Sequence, residues 1–144
     1  MIKSVLCAID VSNPGEDKIV LQQAARLASL DDAQLDVITV VPDFGMSMVG
    51  TFFDEGHHDK MIEEAKEQLN EQVTDALGAD ANAAVRHIVV FGKTYQEVLN
   101  AAQEAKSSVI VVGAHKPDLA EYLLGPNAAR IVRHAKTSVY VVRS

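Results

Sequence analysis

Short apolar runs alternate with longer amphipathic segments along this chain, and that alternation constrains its fold more than any other feature. Apolar runs without polar alternation are typical of strands that are buried on both faces of a sheet. We expect five such strands, at residues 2–9, 35–41, 85–91, 108–112 and 137–142. The sequence therefore predicts an α/β fold in which helices separate successive strands.

The segment after the first apolar run carries signals for the start of a helix. Asn13 is suited to the N-cap, Pro14 to the first helical position, and Glu16 to the place of a capping-box partner. Apolar residues then recur at helical spacing as far as Leu30. We therefore expect the first helix to occupy residues 14–30.

The later helices are predicted by periodicity and by capping patterns. A helix is expected from Asp59 to Leu77 with Gly78 at its end, whereas residues 42–58 lack periodicity and are interpreted as a loop. The run Thr94-Tyr95-Gln96-Glu97 matches a capping box, and Pro126 can open the last helix. These elements predict a single doubly wound open sheet of five parallel strands with helices on both faces.

Length, net charge and the lengths of the apolar runs limit the kinds of partner that the chain can bind. The 144 residues fit one domain, 1–144, and a formal net charge of -7 disfavours binding to the phosphate backbone of nucleic acid. No apolar run approaches the roughly 20 residues that cross a bilayer, so we expect no membrane insertion and a cytoplasmic location. The single cysteine, Cys7, lies inside the first apolar run and is expected to pack as a small hydrophobe.

Candidate binding residues follow the strands, because the ligand crevice of such a sheet opens at the carboxyl ends of its strands. Asp10 comes after the first strand, Val40 stands at the end of the second, and Gly113-Ala114-His115-Lys116 follows the fourth. Gly125 precedes a predicted helix, whose first amides and dipole favour an anion. The segment 125–128 is therefore a candidate phosphate cradle.

These motifs resemble those of the universal stress protein family. That family closes with a strand, Gly-x-x-Gly, a spacer, Gly-Ser or Gly-Thr, a helix and a valine-rich strand, and residues 113–142 show a close relative of this pattern. The similarity extends from Ala8-Ile9-Asp10 to the last strand, and details of residues 116–129 look like one bacterial branch of the family. The resemblance implies an adenine-nucleotide alpha-hydrolase-like sheet with strand order 3-2-1-4-5.

The resemblance also implies a ligand, which is ATP, ADP or AMP, with or without Mg²⁺. The ends of the first two strands would flank the base and reach the ribose. The end of the fourth strand and the start of the last helix would surround the ribose and the phosphates. The implied nucleotide-binding residues are Ala8, Ile9, Asp10, Val40, Gly113, Ala114, His115, Lys116, Gly125, Pro126, Asn127 and Ala128. No metal-ligand spacing is present, and no catalytic residue is assigned.

Three departures from the family pattern bear on phosphate binding. Lys116 replaces the second glycine, the spacer to Gly125 is one residue short, and Pro126 replaces the usual serine or threonine. Proline has neither an N–H nor a hydroxyl, so a phosphate loses a donor at that position. Asn127 has a side-chain amide that offers an alternative donor.

Two functions from different classes remain open at this point. The first is an ATP-binding stress-response or signalling module that acts through a homodimer, formed by the C-terminal strand, and passes its output to an unidentified protein partner. The second is a nucleotide-free dimeric scaffold, which Pro126 and Lys116 favour. The chain lacks a nucleophile elbow, a Walker A sequence and a Ser-Gly-Gly loop, so any ATP hydrolysis is expected to be slow.

Overall fold

The computed structural model describes residues 1–42, 55–114 and 125–143. Five strands and five helices follow one another in these ranges. Their bounds are β1 Ser4–Ala8, α1 Lys18–Leu30, β2 Gln34–Pro42, α2 Glu55–Leu77, α3 Ala79–Asn82, β3 Arg86–Gly92, α4 Thr94–Glu104, β4 Val109–Gly113, α5 Pro126–His134 and β5 Ser138–Val142. Each predicted strand is present, and its ends lie within two residues of the predicted ones.

The strands form one parallel sheet in the order β3-β2-β1-β4-β5, which confirms the predicted fold class and strand order. Cys7 in the central strand β1 is aligned with Val37 of β2 on one side and with Val111 of β4 on the other. The chain builds β2 and β3 on one side of β1 and then crosses back, so that β4 and β5 are added on the other side. The boundary between β1 and β4 is the point at which ligands bind in open sheets of this kind.

A separate hydrophobic core lies on each face of the sheet. Val5, Cys7 and Val37 point toward α1 and α2, whereas Leu6 and Ile38 point toward α4 and α5. Successive residues of one strand enter opposite cores because side chains alternate along a strand. Full burial of Val5, Leu6 and Cys7 explains why the first apolar run carries no polar alternation.

The predicted start of the first helix is wrong, since α1 begins at Lys18 rather than at Pro14. Gly15 has a φ of 85°, a left-handed conformation that a right-handed helix does not tolerate. The side-chain amide of Asn13 donates to Asp10 Oδ2 at 3.1 Å. Residues 11–17 therefore form a turn that extends the strand end, and Asp17 becomes the N-cap.

Two other helix starts also differ from the prediction. The helix expected from Asp59 begins at Glu55, inside the segment interpreted as a loop, where an acidic residue suits the positive end of the dipole. Thr94 does not cap α4 but is its first helical residue, because Lys93 takes the N-cap position. Pro126 does open the last helix, as predicted.

Candidate functional site

A crevice of about 750 Å³ opens at the carboxyl ends of the strands. Its size is within the range of pockets that hold small ligands and cofactors. Residues of β1, β2, β4, α2 and α5 line it, together with the turn before α1. The crevice therefore lies at the β1–β4 boundary, where the strand order predicts a ligand site.

The turn after β1 is organised by the carboxylate of Asp10. Its Oδ1 accepts hydrogen bonds from the backbone N–H of Ser12 at 3.0 Å and from the Ser12 hydroxyl at 2.6 Å. Its Oδ2 accepts from the Asn13 amide. Asp10 therefore caps an Asx turn, and the same exposed side chain also lines the crevice.

Asp17 holds the segment that follows β1 and lies near the end of β4. Its Oδ2 accepts a hydrogen bond from the backbone N–H of Asp10 at 2.8 Å. Its Oδ1 lies 3.5 Å from the position that a Cβ on Gly113 would take. A side chain at position 113 would crowd Val20, whose Cγ2 lies 3.1 Å from the same position, and would only touch Asp17.

The first turn of α5 forms the opposite wall. Gly125 is the N-cap and has no side chain to accept from the amides of the first turn, and Pro126 occupies the first helical position. The N–H groups of Asn127 and Ala128 belong to the turn whose donors have no partner within the helix. Because α5 is a nine-residue helix, its dipole adds partial positive charge at this point.

The third wall comes from α2, and sequence analysis did not assign these residues to the site. Met61 and Ala65 continue the apolar stripe of the helix to the crevice, and Glu64 and Gln68 add polar groups beside them. Their i and i+4 spacing places each pair on one side of the helix. The spacing of apolar residues in the sequence predicts the stripe, but it does not show that one end of the stripe faces a crevice rather than the core.

Most of the predicted binding residues are brought together in this crevice. Ala114 is buried directly after β4 and does not line the crevice, and His115 and Lys116 lie outside the described residues. Asp17 and Thr94, which were not predicted to contact a ligand, also line the crevice. The predicted residues that line it are Ala8, Ile9, Asp10, Val40, Gly113, Gly125, Pro126, Asn127 and Ala128.

The thiol of Cys7 lies in the core behind the strand ends. Burial raises its pKa far above the ordinary value, and the negative charge of Asp17 raises the pKa further. A thiol in this state is protonated at neutral pH and is a poor nucleophile. Cys7 therefore acts as a packing residue, as its place in the apolar run predicts.

Within residues 1–42, 55–114 and 125–143, no group of three or more His, Cys, Asp or Glu side chains could hold a metal ion. No helix in the same ranges is long and apolar enough to cross a membrane.

Comparison with known proteins agrees with this architecture. Residues 1–143 match the model of the universal stress protein family. Universal stress protein G of Shigella flexneri is 29% identical over 99% of this chain and 100% of its own length.

Solved structures show the same fold. The structure of protein MJ0577, named as a universal stress protein of Methanocaldococcus jannaschii, superposes with a TM-score of 0.78 at 23% identity, covering 100% of this chain and 97% of that one. A universal stress protein solved in complex with cAMP gives a TM-score of 0.61 at 21% identity, covering 99% and 97%. With the family match over residues 1–143, these likenesses show that the chain belongs to the universal stress protein family.

Proposed function

We propose that this protein binds an adenine nucleotide in the crevice and serves as a cytoplasmic stress-response or signalling module. The observation that carries the proposal is the meeting of three strand ends with the uncapped first turn of α5 around one cavity of about 750 Å³. Such a cavity offers apolar surface for a base and amide donors for phosphates. ATP, ADP and AMP share both recognition features.

The base and the ribose fit the β1–β2 side of the crevice. Ala8, Ile9 and Val40 present small or apolar side chains and the backbone groups of two strand ends. Backbone N–H and C=O groups can read the edge of a purine without a polar side chain. The ribose would then lie between Asp10 and Gly113, at the ends of β1 and β4.

The phosphates fit the α5 side. The amides of Asn127 and Ala128 and the helix dipole supply the favourable electrostatics, and Gly125 lets the backbone approach closely. Mg²⁺ is commonly held by one or two carboxylates together with substrate phosphates, so a bound metal would need no cluster of protein ligands. We propose Asp10, which lines the crevice after β1, as the carboxylate that would accompany it.

The fold comparison supports a nucleotide as the class of ligand, since a structural neighbour with the same fold was solved in complex with cAMP. The proposed form of action is a homodimer that pairs through β5, whose output passes to a protein partner. β5 is an edge strand, and Tyr140 on it is 40% exposed. An exposed edge with an exposed aromatic side chain favours pairing with a second copy.

The first experiment identifies the nucleotide. Mass spectrometry of material released by denaturing freshly purified protein should detect an adenine nucleotide, and calorimetric titration with ATP, with and without Mg²⁺, should saturate at one site per chain. Protein that carries no nucleotide and gives no heat at millimolar ATP would refute nucleotide binding. That result would leave the nucleotide-free scaffold as the better function.

The site is tested with a matched pair of valine substitutions. Gly125→Val should weaken ATP binding at least about tenfold, because a branched side chain would intrude between the phosphates and the backbone. The φ of Gly125 is -62°, which valine adopts without backbone strain. Because Gly125 is buried, circular dichroism should first establish that the variant is folded. Ala129→Val places the same side chain on an exposed position of the same helix and should leave the affinity unchanged.

Two further variants examine the polar groups. Asp10→Ala should weaken binding, and Asp10→Asn separates its charge from its role in the Asx turn because the amide oxygen still accepts from Ser12. Pro126→Ser should tighten ATP binding about fivefold or more, because it restores an N–H and adds a hydroxyl at the first helical position. Equal affinities in the wild type and all of these folded variants would place the nucleotide elsewhere.

A further inference from the structure

A second groove, of about 490 Å³, lies between α4 and the edge strand β3. Its floor is apolar and includes Ile38, Ile88 and Val90, of which the last two are partly exposed. None of the described residues that line it also lines the crevice. The molecule therefore has a second, partly open apolar surface of the size that holds a ligand.

The outer edge of β3 borders this groove. Among the described strands, β3 pairs with β2 alone, and the register is unbroken from Arg86 to Gly92, so no bulge bends the strand away. Edge strands carry outward backbone N–H and C=O groups, and proline, lysine or a bulge usually protects them. The seven residues of β3 include neither proline nor lysine. This edge can therefore accept an added strand.

Glu97 and Glu104 give the groove excess negative charge. They are seven residues apart on α4 and both line the groove, so they lie on one side of the helix about 10 Å apart. The Glu97 side chain reaches the end of β3, where its Cγ lies 2.7 Å from the position that a Cβ on Gly92 would take. The ion pairs of the described residues involve neither glutamate.

Arg86 also lines the groove but does not offset these charges, because it is paired with Asp36. Arg86 Nε donates to Asp36 Oδ1 at 2.9 Å, and Asp36 Oδ2 has no partner in the described part of the chain. Asp36 is fully buried on the same face as Ile38, so its carboxylate lies behind the Arg86 end of the groove. Three carboxylates thus accompany one guanidinium, and this arrangement attracts a cation.

We propose that this groove docks an extended, basic segment of a protein partner, which adds a strand to β3. Side chains alternate along a strand, so a basic-x-apolar-x-basic pattern places its apolar side chain on Ile88 and Val90. The two basic residues are then about 13 Å apart, and their long side chains can reach Glu97 and Glu104. Of the proposed function, the inference uses only the protein partner, and it holds whether or not a nucleotide binds.

The probe is the end-blocked peptide Thr-Lys-Thr-Val-Thr-Lys-Thr, titrated against the full chain at about 50 mM salt and followed by NMR amide shifts. We expect saturable shift changes in β3 and α4 at millimolar peptide. The same peptide with glutamate in place of both lysines should not bind. Two further peptides are N-methylated at the odd or at the even positions, and one of them should bind at least about tenfold more weakly because its N–H groups pair with β3.

A double substitution, Glu97→Gln with Glu104→Gln, should weaken binding of the lysine peptide about fivefold, because two ion pairs are lost. The matched control is Glu67→Gln with Glu71→Gln, which removes the same total charge from exposed positions of α2. It should change the affinity by less than about twofold. Both double variants should bind ATP as the wild type does, since none of the four residues lines the crevice.

The outcomes separate this inference from nucleotide binding. A wild type that binds ATP but gives no shift change with the lysine peptide overturns the inference alone, and the reverse result refutes nucleotide binding alone. Equal weakening in both double variants would mean that net charge attracts the peptide, and equal binding of both N-methylated peptides would exclude strand addition. Sedimentation that shows a dimer paired through β3 would place a second copy in the groove. Each of these three results overturns the inference.

Discussion

Arg86→Ala should destabilise the protein, although the Arg86 side chain is largely exposed. Arg86 Nε donates to Asp36 Oδ1 at 2.9 Å across neighbouring strands, where the two residues are directly aligned. The Asp36 side chain is fully buried, and its Oδ2 has no hydrogen-bond partner among the described residues. Truncation of Arg86 would leave both oxygens of a buried carboxylate without a partner.

The magnitude follows from the unequal burial of the two partners. Breaking a buried ion pair on one side costs about 3–5 kcal/mol. The Arg86 side chain is 60% exposed, so its removal admits water beside Asp36 and lowers the cost. We therefore expect a loss of about 2–3 kcal/mol in the free energy of unfolding.

A double-mutant cycle isolates the cause. In an Asp36→Asn background the neutral side chain needs no counter-charge, and Arg86→Ala should cost less than about 1 kcal/mol there. Urea unfolding, followed by circular dichroism at one protein concentration, gives the free energy of unfolding of all four proteins. Arg133→Ala, at an exposed position, is the control and should stay within about 0.5 kcal/mol of the wild type. Equal costs of Arg86→Ala in both backgrounds would refute the dependence on the buried charge.

Three further predictions concern the core and the turns. Because burial raises the pKa of Cys7, the folded protein keeps a thiol proton that the unfolded chain loses above about pH 8.5. The free energy of unfolding is therefore unaffected by this thiol below that pH and falls by about 2 kcal/mol by about pH 10. In urea unfolding, Cys7→Ala should lose less stability than the wild type over this pH range. Asn82→Ala should cost about 1–3 kcal/mol in the same assay, because the buried amide donates to Asn70 and Thr74 and its oxygen meets His87 Nε2 at 2.7 Å, and an unchanged midpoint would show these bonds to be dispensable. Gly78→Ala should cost about 1–3 kcal/mol by thermal unfolding despite open space around it, since its φ of 92° and ψ of 159° suit glycine alone; a neutral result would mean that the turn rearranges freely.

The fold was predictable because its signals are local. Each strand is an apolar run, and the helix that Gly78 ends and the helix that Pro126 opens are marked by single residues. The start of α1 was predicted wrongly because its local signal was misleading. Asn13 and Glu16 match a capping box, but Asn13 instead bonds to Asp10, and Gly15 takes a conformation that the sequence permits without requiring.

The site was predictable only where it follows strand ends. Residues such as Asp10 and Gly113 were found because parallel strands bring their carboxyl ends to one edge. Asp17 and Glu64 were missed because their roles depend on how α1 and α2 lie over that edge, which no local pattern encodes. Asp36 is a similar case, since only the register between β2 and β3 places Arg86 beside it.

Pro126, the departure from the family pattern that most weakens the case for phosphate binding, changes less than the sequence implies. Proline is favoured at the first position of a helix, where its fixed φ is already helical, and α5 begins there. The substitution therefore keeps Asn127 and Ala128 in the first turn and removes one donor from the cradle. Pro126→Ser should then change the affinity for ATP while leaving the melting temperature of the ligand-free protein within about 2 °C of the wild type. A large fall in that temperature would mean that proline maintains the position of α5, and the affinity change could no longer be assigned to the restored donor.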